Sequence, residues 1–230
     1  MRTPLRLALG LCLFGSLASP AEARRLADWQ FEEGSGVVFL NSVPGGRQPN
    51  HGILINQLGY VSVEIDGEER FALLFDGIND IAVVPDSQTL RPRRAISIEA
   101  LINPSPSTGV LIGKQVGLFA DDTFNSYQLE IDPFCFSLTD KAGVRIKACA
   151  DEPPPPDVWH HVVGTWDGSS TIELFLDGVL VASEPFAGPI AYDNNPVLIG
   201  GEDDGLGIPG CCLFTGAVDQ IKIFDNPFND

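Results

Sequence analysis

Trp159-His-His-Val-Val-Gly-Thr-Trp166 and Thr171-Ile-Glu-Leu-Phe-Leu176 are two β-type runs, joined by Asp167-Gly-Ser-Ser170 and closed by Asp177-Gly178. Runs rich in β-branched and aromatic residues, punctuated by Asp-Gly turns, read as antiparallel strands. The same pattern extends in both directions. Upstream lie Val37-Val-Phe-Leu40, Phe71-Ala-Leu-Leu-Phe75, Ala95 to Ile102 and Ser126 to Ile131; downstream lies Ala217 to Phe224. No window holds a 3.6-residue period for more than two turns. Many short strands without intervening helices predict an all-β fold of two antiparallel sheets packed as a sandwich. Asp151-Glu-Pro-Pro-Pro-Pro-Asp157 is too short for a domain linker and reads as a stiff surface connection.

The 230 residues suit one large all-β domain or two small ones, and no linker divides them. Apolar residues make up 44%, enough for a core. Lys and Arg total 14 against 31 Asp and Glu, a net charge of −17. That balance excludes a duplex nucleic-acid binder, which needs a basic face, and an anionic membrane surface. It suits hard cations such as calcium.

Residues 1–23 read as an export signal. Met1 to Arg6 carries two arginines, Leu7 to Leu17 is apolar but too short to span a bilayer, and Ala21-Glu22-Ala23 is a cleavage site. Cleavage after Ala23 removes two arginines and one glutamate, taking the charge from −17 to −18. No later run is long enough to cross a membrane. The expected product is secreted, extracellular or periplasmic, with Cys12 discarded.

Four cysteines then remain. Cys135 and Cys149 flank Thr139-Asp-Lys-Ala-Gly143, a hairpin turn with Gly143 available for positive φ. Pairing 135 with 149 sets residue 138 opposite 146, so one register serves turn and cysteines. An oxidising compartment favours a disulfide over two buried thiols. Cys211 and Cys212 are adjacent. They form either a strained vicinal disulfide or two reduced thiols facing opposite ways.

Several motifs, in order, resemble the laminin-G-like jellyroll domains of the concanavalin A-like class, which includes the pentraxins. They are Asp28-Trp-Gln-Phe-Glu-Glu-Gly-Ser-Gly36, Leu74-Phe-Asp-Gly-Ile-Asn-Asp-Ile81, Ile96 to Ile102, Trp159 to Ser169, Leu174 to Gly178, Pro196 to Gly201 and Gly216 to Phe224. The resemblance covers residues 26–230. It implies a β-sandwich binding module, often calcium-dependent and lectin-like, with glycans or proteins as ligands. The disulfide that pentraxins carry between core strands has no equivalent, since Glu99 and Val163 stand at those places.

Some glycoside hydrolases of this fold carry Glu-x-Asp-x-x-Glu on one strand, which lines a cleft wall with carboxylates. Glu130-Ile-Asp132 begins the pattern, but Pro133-Phe-Cys135 supplies no third carboxylate. Proline also ends the strand. His160 and His161 are adjacent and point to opposite faces, and His51 stands in a polar loop. The expectation is no enzyme.

Carboxylates remain as candidate metal ligands. Glu202-Asp203-Asp204 follows the strand Pro196 to Gly200, and three adjacent acids repel unless solvated or neutralised. The resemblance to pentraxins implies calcium there, with Asn125 as partner and Asp121 or Asp122 as alternatives. A solvated acidic loop is the other reading. In the last strand, alternation places Ala217, Asp219, Ile221 and Ile223 on one face, so Asp219 is expected to be buried and to need a partner. Related sandwiches imply a structural calcium at this aspartate, with Glu33 and Asp76 contributing. Backbone hydrogen bonds are the alternative.

These readings converge on a secreted, non-catalytic binding module that takes a glycan or an extracellular protein, assisted by calcium. The competing class is a structural or adhesive protein that assembles with its own copies; a glycoside hydrolase is a lesser alternative. Phe214 is the local candidate for an exposed aromatic platform.

Overall fold

The computed structural model describes residues 24–44, 49–106, 108–117, 125–203 and 209–228. The expected export signal and Asp121, Asp122 and Asp204 lie outside them, as do the side chains of Asp203 and Cys211.

Eighteen strands are described. In chain order they are β1 (Arg25–Trp29), β2 (Val38–Phe39), β3 (Gly52–Ile55), β4 (Gly59–Ile65), β5 (Glu68–Asp76), β6 (Ile81–Val84), β7 (Ile96–Pro104), β8 (Val110–Gln115) and β9 (Asn125–Ile131). There follow β10 (Phe134–Thr139), β11 (Arg145–Cys149), β12 (His160–Trp166), β13 (Thr171–Leu176), β14 (Val179–Pro185), β15 (Val197–Ile199), β16 (Glu202–Asp203), β17 (Pro209–Cys211) and β18 (Thr215–Phe224). A single 3₁₀ turn, Gln88–Leu90, is the helical element among the described residues. No described helix is long and apolar enough to cross a membrane.

Two eight-stranded sheets form the sandwich. Sheet A runs β14-β13-β12-β7-β18-β5-β4, with β1 also pairing with β18. Sheet B runs β11-β10-β9-β8-β15-β6-β3-β2. The strand pairs within both are antiparallel. The predicted all-β two-sheet jellyroll is the observed architecture. Val163 and Glu99, the places where pentraxins carry a disulfide, are direct partners across β12 and β7.

Each strand turns one set of alternate residues inward. On β9 and β10 these are Tyr127, Leu129, Phe134, Phe136 and Leu138, all buried in the core. Trp166 packs edge-on to Phe186 at 5.4 Å, and its indole N–H donates to the Phe186 carbonyl at 3.1 Å. The sheets come into close contact at Gly164 on β12. A Cβ there would lie 2.3 Å from the Phe136 ring. This explains the glycine inside an otherwise bulky strand.

The hairpin of β10 and β11 has the register Cys135–Cys149, Ser137–Lys147 and Leu138–Ile146. Gly143 takes φ +81° in its turn. The two sulfurs are bonded across the strands. Cys212, by contrast, is a free, exposed thiol, which corrects the reading of a vicinal bridge with Cys211.

Gly164→Ala is expected to destabilise the domain by about 1–3 kcal/mol, because the ring and strand must separate to admit one methyl group. Urea denaturation should show a lower midpoint with an unchanged slope. Equal stability would mean that the sheets are not in close contact there.

Candidate functional site

The outer face of sheet B follows from the register. Because Tyr127 and Leu129 point inward, Gln128 and Glu130 point outward. Gln128 stands opposite Ser137, and Ser137 opposite Lys147, which forms one polar rung across β9, β10 and β11. Glu130 stands opposite Cys135, and Cys135 opposite Cys149, which forms the next. Lys147 reaches Glu130 at 3.1 Å.

Asn125 joins this face through an irregularity. Register with β8 shifts between Lys114–Tyr127 and Gln115–Asn125, leaving Ser126 as an extra residue. Such a bulge re-aims the next side chain. Asn125 Nδ2 therefore donates to Gln128 Oε1 at 3.3 Å and to Glu202 Oε1 at 2.9 Å. Gln128 Nε2 donates to the same Glu202 oxygen at 2.7 Å. Arg145 on β11 closes the cluster by donating to Gln128 Oε1 and, at 3.1 Å, to Ser137 Oγ. Burial pushes the Arg145 pKa below its ordinary value, while the charges of Glu202, Glu130 and Cys212 act in the opposite sense. Asn125 and Gln128 are each 2% exposed, and Asn125 Oδ1 is buried with no hydrogen-bond partner.

The structure thus brings together Asn125 and Glu202, which lie 77 residues apart. Glu202 and Asp203 form β16, a short hairpin arm paired with β17. Gln128, Ser137 and Arg145 were missed in the sequence; their strand alternation was the available signal. The exposed platform expected of Phe214 is corrected. The ring is fully buried and packs edge-on to Phe75 at 5.7 Å.

The second expected cluster does not assemble. Glu33 accepts from the Leu40 amide at 2.8 Å and from the Tyr60 hydroxyl at 3.3 Å. Asp76 caps its own turn by accepting from the amides of Ile78 and Asn79 at 2.8 and 3.3 Å. Asp219 accepts instead from Arg70 at 3.3 Å. It is not on the isoleucine face. Val218 pairs with Ile102 and Gln220 with Leu101, so Asp219 is the extra residue of a bulge. Val218, Ile221 and Ile223 face the core, and Asp219 turns out to Arg70 on β5. It stays 2% exposed with Oδ1 unpartnered. Burial raises its pKa above the ordinary carboxylate range, with Arg70 opposing and Glu32 reinforcing the rise. Among the described residues no group of three Asp, Glu, His or Cys converges as a metal site. At Asp219 a guanidinium stands where a cation was expected.

His160 is held between the Pro155 carbonyl at 3.0 Å and Asp177 at 2.8 Å, and His51 accepts from the Asn41 amide at 2.9 Å. Asp132 sits exposed in the turn after β9, so Glu130 and Asp132 do not line one wall.

Two antiparallel sheets packed face to face are the architecture of the concanavalin A-like class. Residues 76–230 match the profile of the concanavalin A-like lectin/glucanases superfamily, and the chain belongs to that family. No curated protein matches the chain. Among solved structures, the binding domain of the paraclostridial mosquitocidal protein 1 superposes with a TM-score of 0.62 at 14% identity, over 89% of this chain and 49% of that one. Domain 4 of AbnA, an extracellular arabinanase of Geobacillus stearothermophilus solved with arabinotriose, gives 0.61 at 14% identity, over 90% and 95%. Mouse laminin α1 domains LG4-5 give 0.52 at 20% identity, over 69% and 44%. The chain therefore spans about half the length of the toxin and laminin structures and nearly all of the arabinanase domain.

Asp219→Asn tests the bulge site. A raised carboxyl pKa means that ionised Asp219 opposes folding above its folded pKa. That cost disappears as pH falls through the folded value towards the unfolded one. The variant should therefore melt higher than wild type at pH 7. The gain should shrink at acid pH. A variant that melts lower, with a calcium-dependent melting temperature in the wild type alone, would restore the structural ion.

Proposed function

We propose that this chain is an exported, non-catalytic binding module that recognises a glycan or an extracellular protein through the outer face of β9, β10 and β11. The observation that carries the proposal is the buried, unpartnered Asn125 Oδ1 beside Glu202. A desolvated acceptor without a partner is costly unless a ligand, a cation or water completes it. Export is supported by the leader-like residues 1–23 and by the cross-strand disulfide, which persists in oxidising compartments. The similar toxin structure is a binding domain, and the similar arabinanase domain was solved with arabinotriose. The non-catalytic reading rests on Glu130, whose carboxylate is paired with Lys147.

Calcium at the rim fits the donor set in part. Asn125 Oδ1 and the Glu202 carboxylate would hold it, and it would supply a positive centre for ligand hydroxyl or carboxylate oxygens. Arg145 is a like charge nearby, so affinity should be weak, on the order of 10⁻⁴–10⁻³ M as in extracellular modules.

Glycan-array screening of the wild type, with calcium and with chelator, tests both parts. Arg145→Gln should weaken ligand capture about tenfold while tightening calcium, because it removes a hydrogen-bonding wall and a repelling charge together. Undiminished capture by this variant would move the site off the sheet face. Unchanged capture in chelator would remove calcium from it.

Self-assembly is the second reading, favoured by β14. This edge strand of sheet A exposes Val179, Leu180 and Val181 in succession. An apolar edge is a template for pairing with another copy. If it assembles the protein, light scattering should show a concentration-dependent dimer that Leu180→Lys abolishes.

A further inference from the structure

The chain's acidity is an average. Arg91-Pro-Arg-Arg94 follows the 3₁₀ turn Gln88–Leu90, and two tyrosines pin this segment. Tyr127 donates its hydroxyl to the Leu90 carbonyl at 3.2 Å, and Tyr192 donates to the Pro92 carbonyl at 2.8 Å. Arg91 is fixed by Asp86, which accepts from its Nε at 3.0 Å. Arg93 and Arg94 are exposed, and neither side chain has a hydrogen-bond or ion-pair partner among the described residues.

Two cavities flank this segment. One, of about 510 Å³, lies between Arg24 and Leu26 at the start of β1, the arginine segment, and Asp225 after β18. The other, of about 200 Å³, runs from Arg91 and Arg93 to Lys141, over a floor of Pro189, Ile190 and Tyr192. Arg91 and Arg93 line both, so the two are neighbours on one basic surface, here called the trough. Its walls hold Arg24, Arg91, Arg93, Arg94 and Lys141, five of the 14 basic residues in a chain of net charge −17. The one lining carboxylate, Asp225, is bonded to Arg24 at 2.6 Å.

We propose that this trough is a second binding site, separate from the sheet face, for an anionic polysaccharide whose sulfate or carboxylate groups are taken by Arg93, Arg94 and Lys141. Guanidinium forks match both groups bidentately. Pro189 and the partly exposed Tyr192 offer apolar surface to sugar rings beside the charges. Two neighbouring cavities that share Arg91 and Arg93 suit a chain rather than a single small anion. The net negative charge repels every polyanion over long range, so capture rests on the local positive field, within a Debye length of about 8 Å at physiological salt.

The test uses three polymers on one backbone: dextran sulfate, carboxymethyl dextran and neutral dextran, titrated against the full folded protein at low and at high salt. At least one charged dextran should bind with an affinity that falls as salt rises, and neutral dextran should not bind. The two charged arms distinguish sulfate from carboxylate. Arg93→Ala/Arg94→Ala should weaken that binding at least about tenfold at an unchanged melting temperature. Lys222→Ala on β18 should change it less than about twofold. Arg145→Gln should leave it intact, whereas loss in that variant alone would place the anion on the sheet face and overturn the second site. No binding of either charged dextran, or equal weakening by Lys222→Ala, would also overturn it. Duplex DNA held as tightly, with the same arginine dependence, would replace the polysaccharide as occupant.

Discussion

Phe136 lies against the bare backbone of Gly164, and the sandwich closes around that contact. The inward direction of one ring on β10 fixes the outward direction of its neighbours. With Phe136 committed to the core, Cys135 and Ser137 must face away from it, and antiparallel pairing carries that orientation to β9 and β11. Gln128, Glu130 and Lys147 therefore occupy the outer face because hydrophobic burial on the other side leaves them no alternative. The site is a consequence of core packing, which is why its members come from three strands yet align in rungs. The disulfide between Cys135 and Cys149 adds a covalent tie to the same hairpin, on the same face as the polar residues.

Much of this was legible in the sequence, because alternation and turn chemistry are local. Thr171 to Leu176 forms β13 with the expected ends, and the Cys135–Cys149 register follows from the turn between them. The reading failed where the two-residue period is interrupted. At Asp219 a bulge inserts one residue between Val218 and Gln220, so counting back from Ile221 assigns the aspartate to the wrong face. A glutamate neighbour was expected and an arginine from β5 is present. At Asn125 another bulge acts in the opposite way, turning a side chain towards Glu202 that strict alternation would have sent inward. A bulge is set by pairing with a partner strand distant in sequence, so a single strand carries no sign of it.

A sum of charge over 230 residues discards position: a net −17 argues against a duplex nucleic-acid or anionic-membrane face but not against every basic surface. The fold gathers Arg24 from the first described residue, the Arg91–Arg94 segment from the turn before β7, and Lys141 from the β10–β11 turn. Net charge constrains long-range steering; it says little about a trough narrower than a Debye length. The adjacency of Arg93 and Arg94 was visible, but the lack of acidic partners for them required the coordinates.

A buried ionic network joins the trough to the sheet. Lys114 on β8 is wholly buried, and its ammonium donates to Asp86 at 2.6 Å and to the Asn195 carbonyl. Asp86 also holds Arg91. Burial pushes the lysine pKa down, with Asp86 acting against the shift. Burial alone would raise the Asp86 carboxyl, but hydrogen bonds from Arg91 and Lys114 outweigh it and hold the pKa below its ordinary value. Three charges in a largely desolvated place are a poor source of stability, since apolar residues of like volume do as well or better. What they supply is position. Lys114 lies on the strand whose Gly113 stands opposite Gln128, and Arg91 walls both cavities. Asp86 holds the two cations in one arrangement, which orients the trough's inner guanidinium relative to sheet B. A hydrophobic replacement could preserve the fold, but it would leave Arg91 without the partner that directs it into the groove.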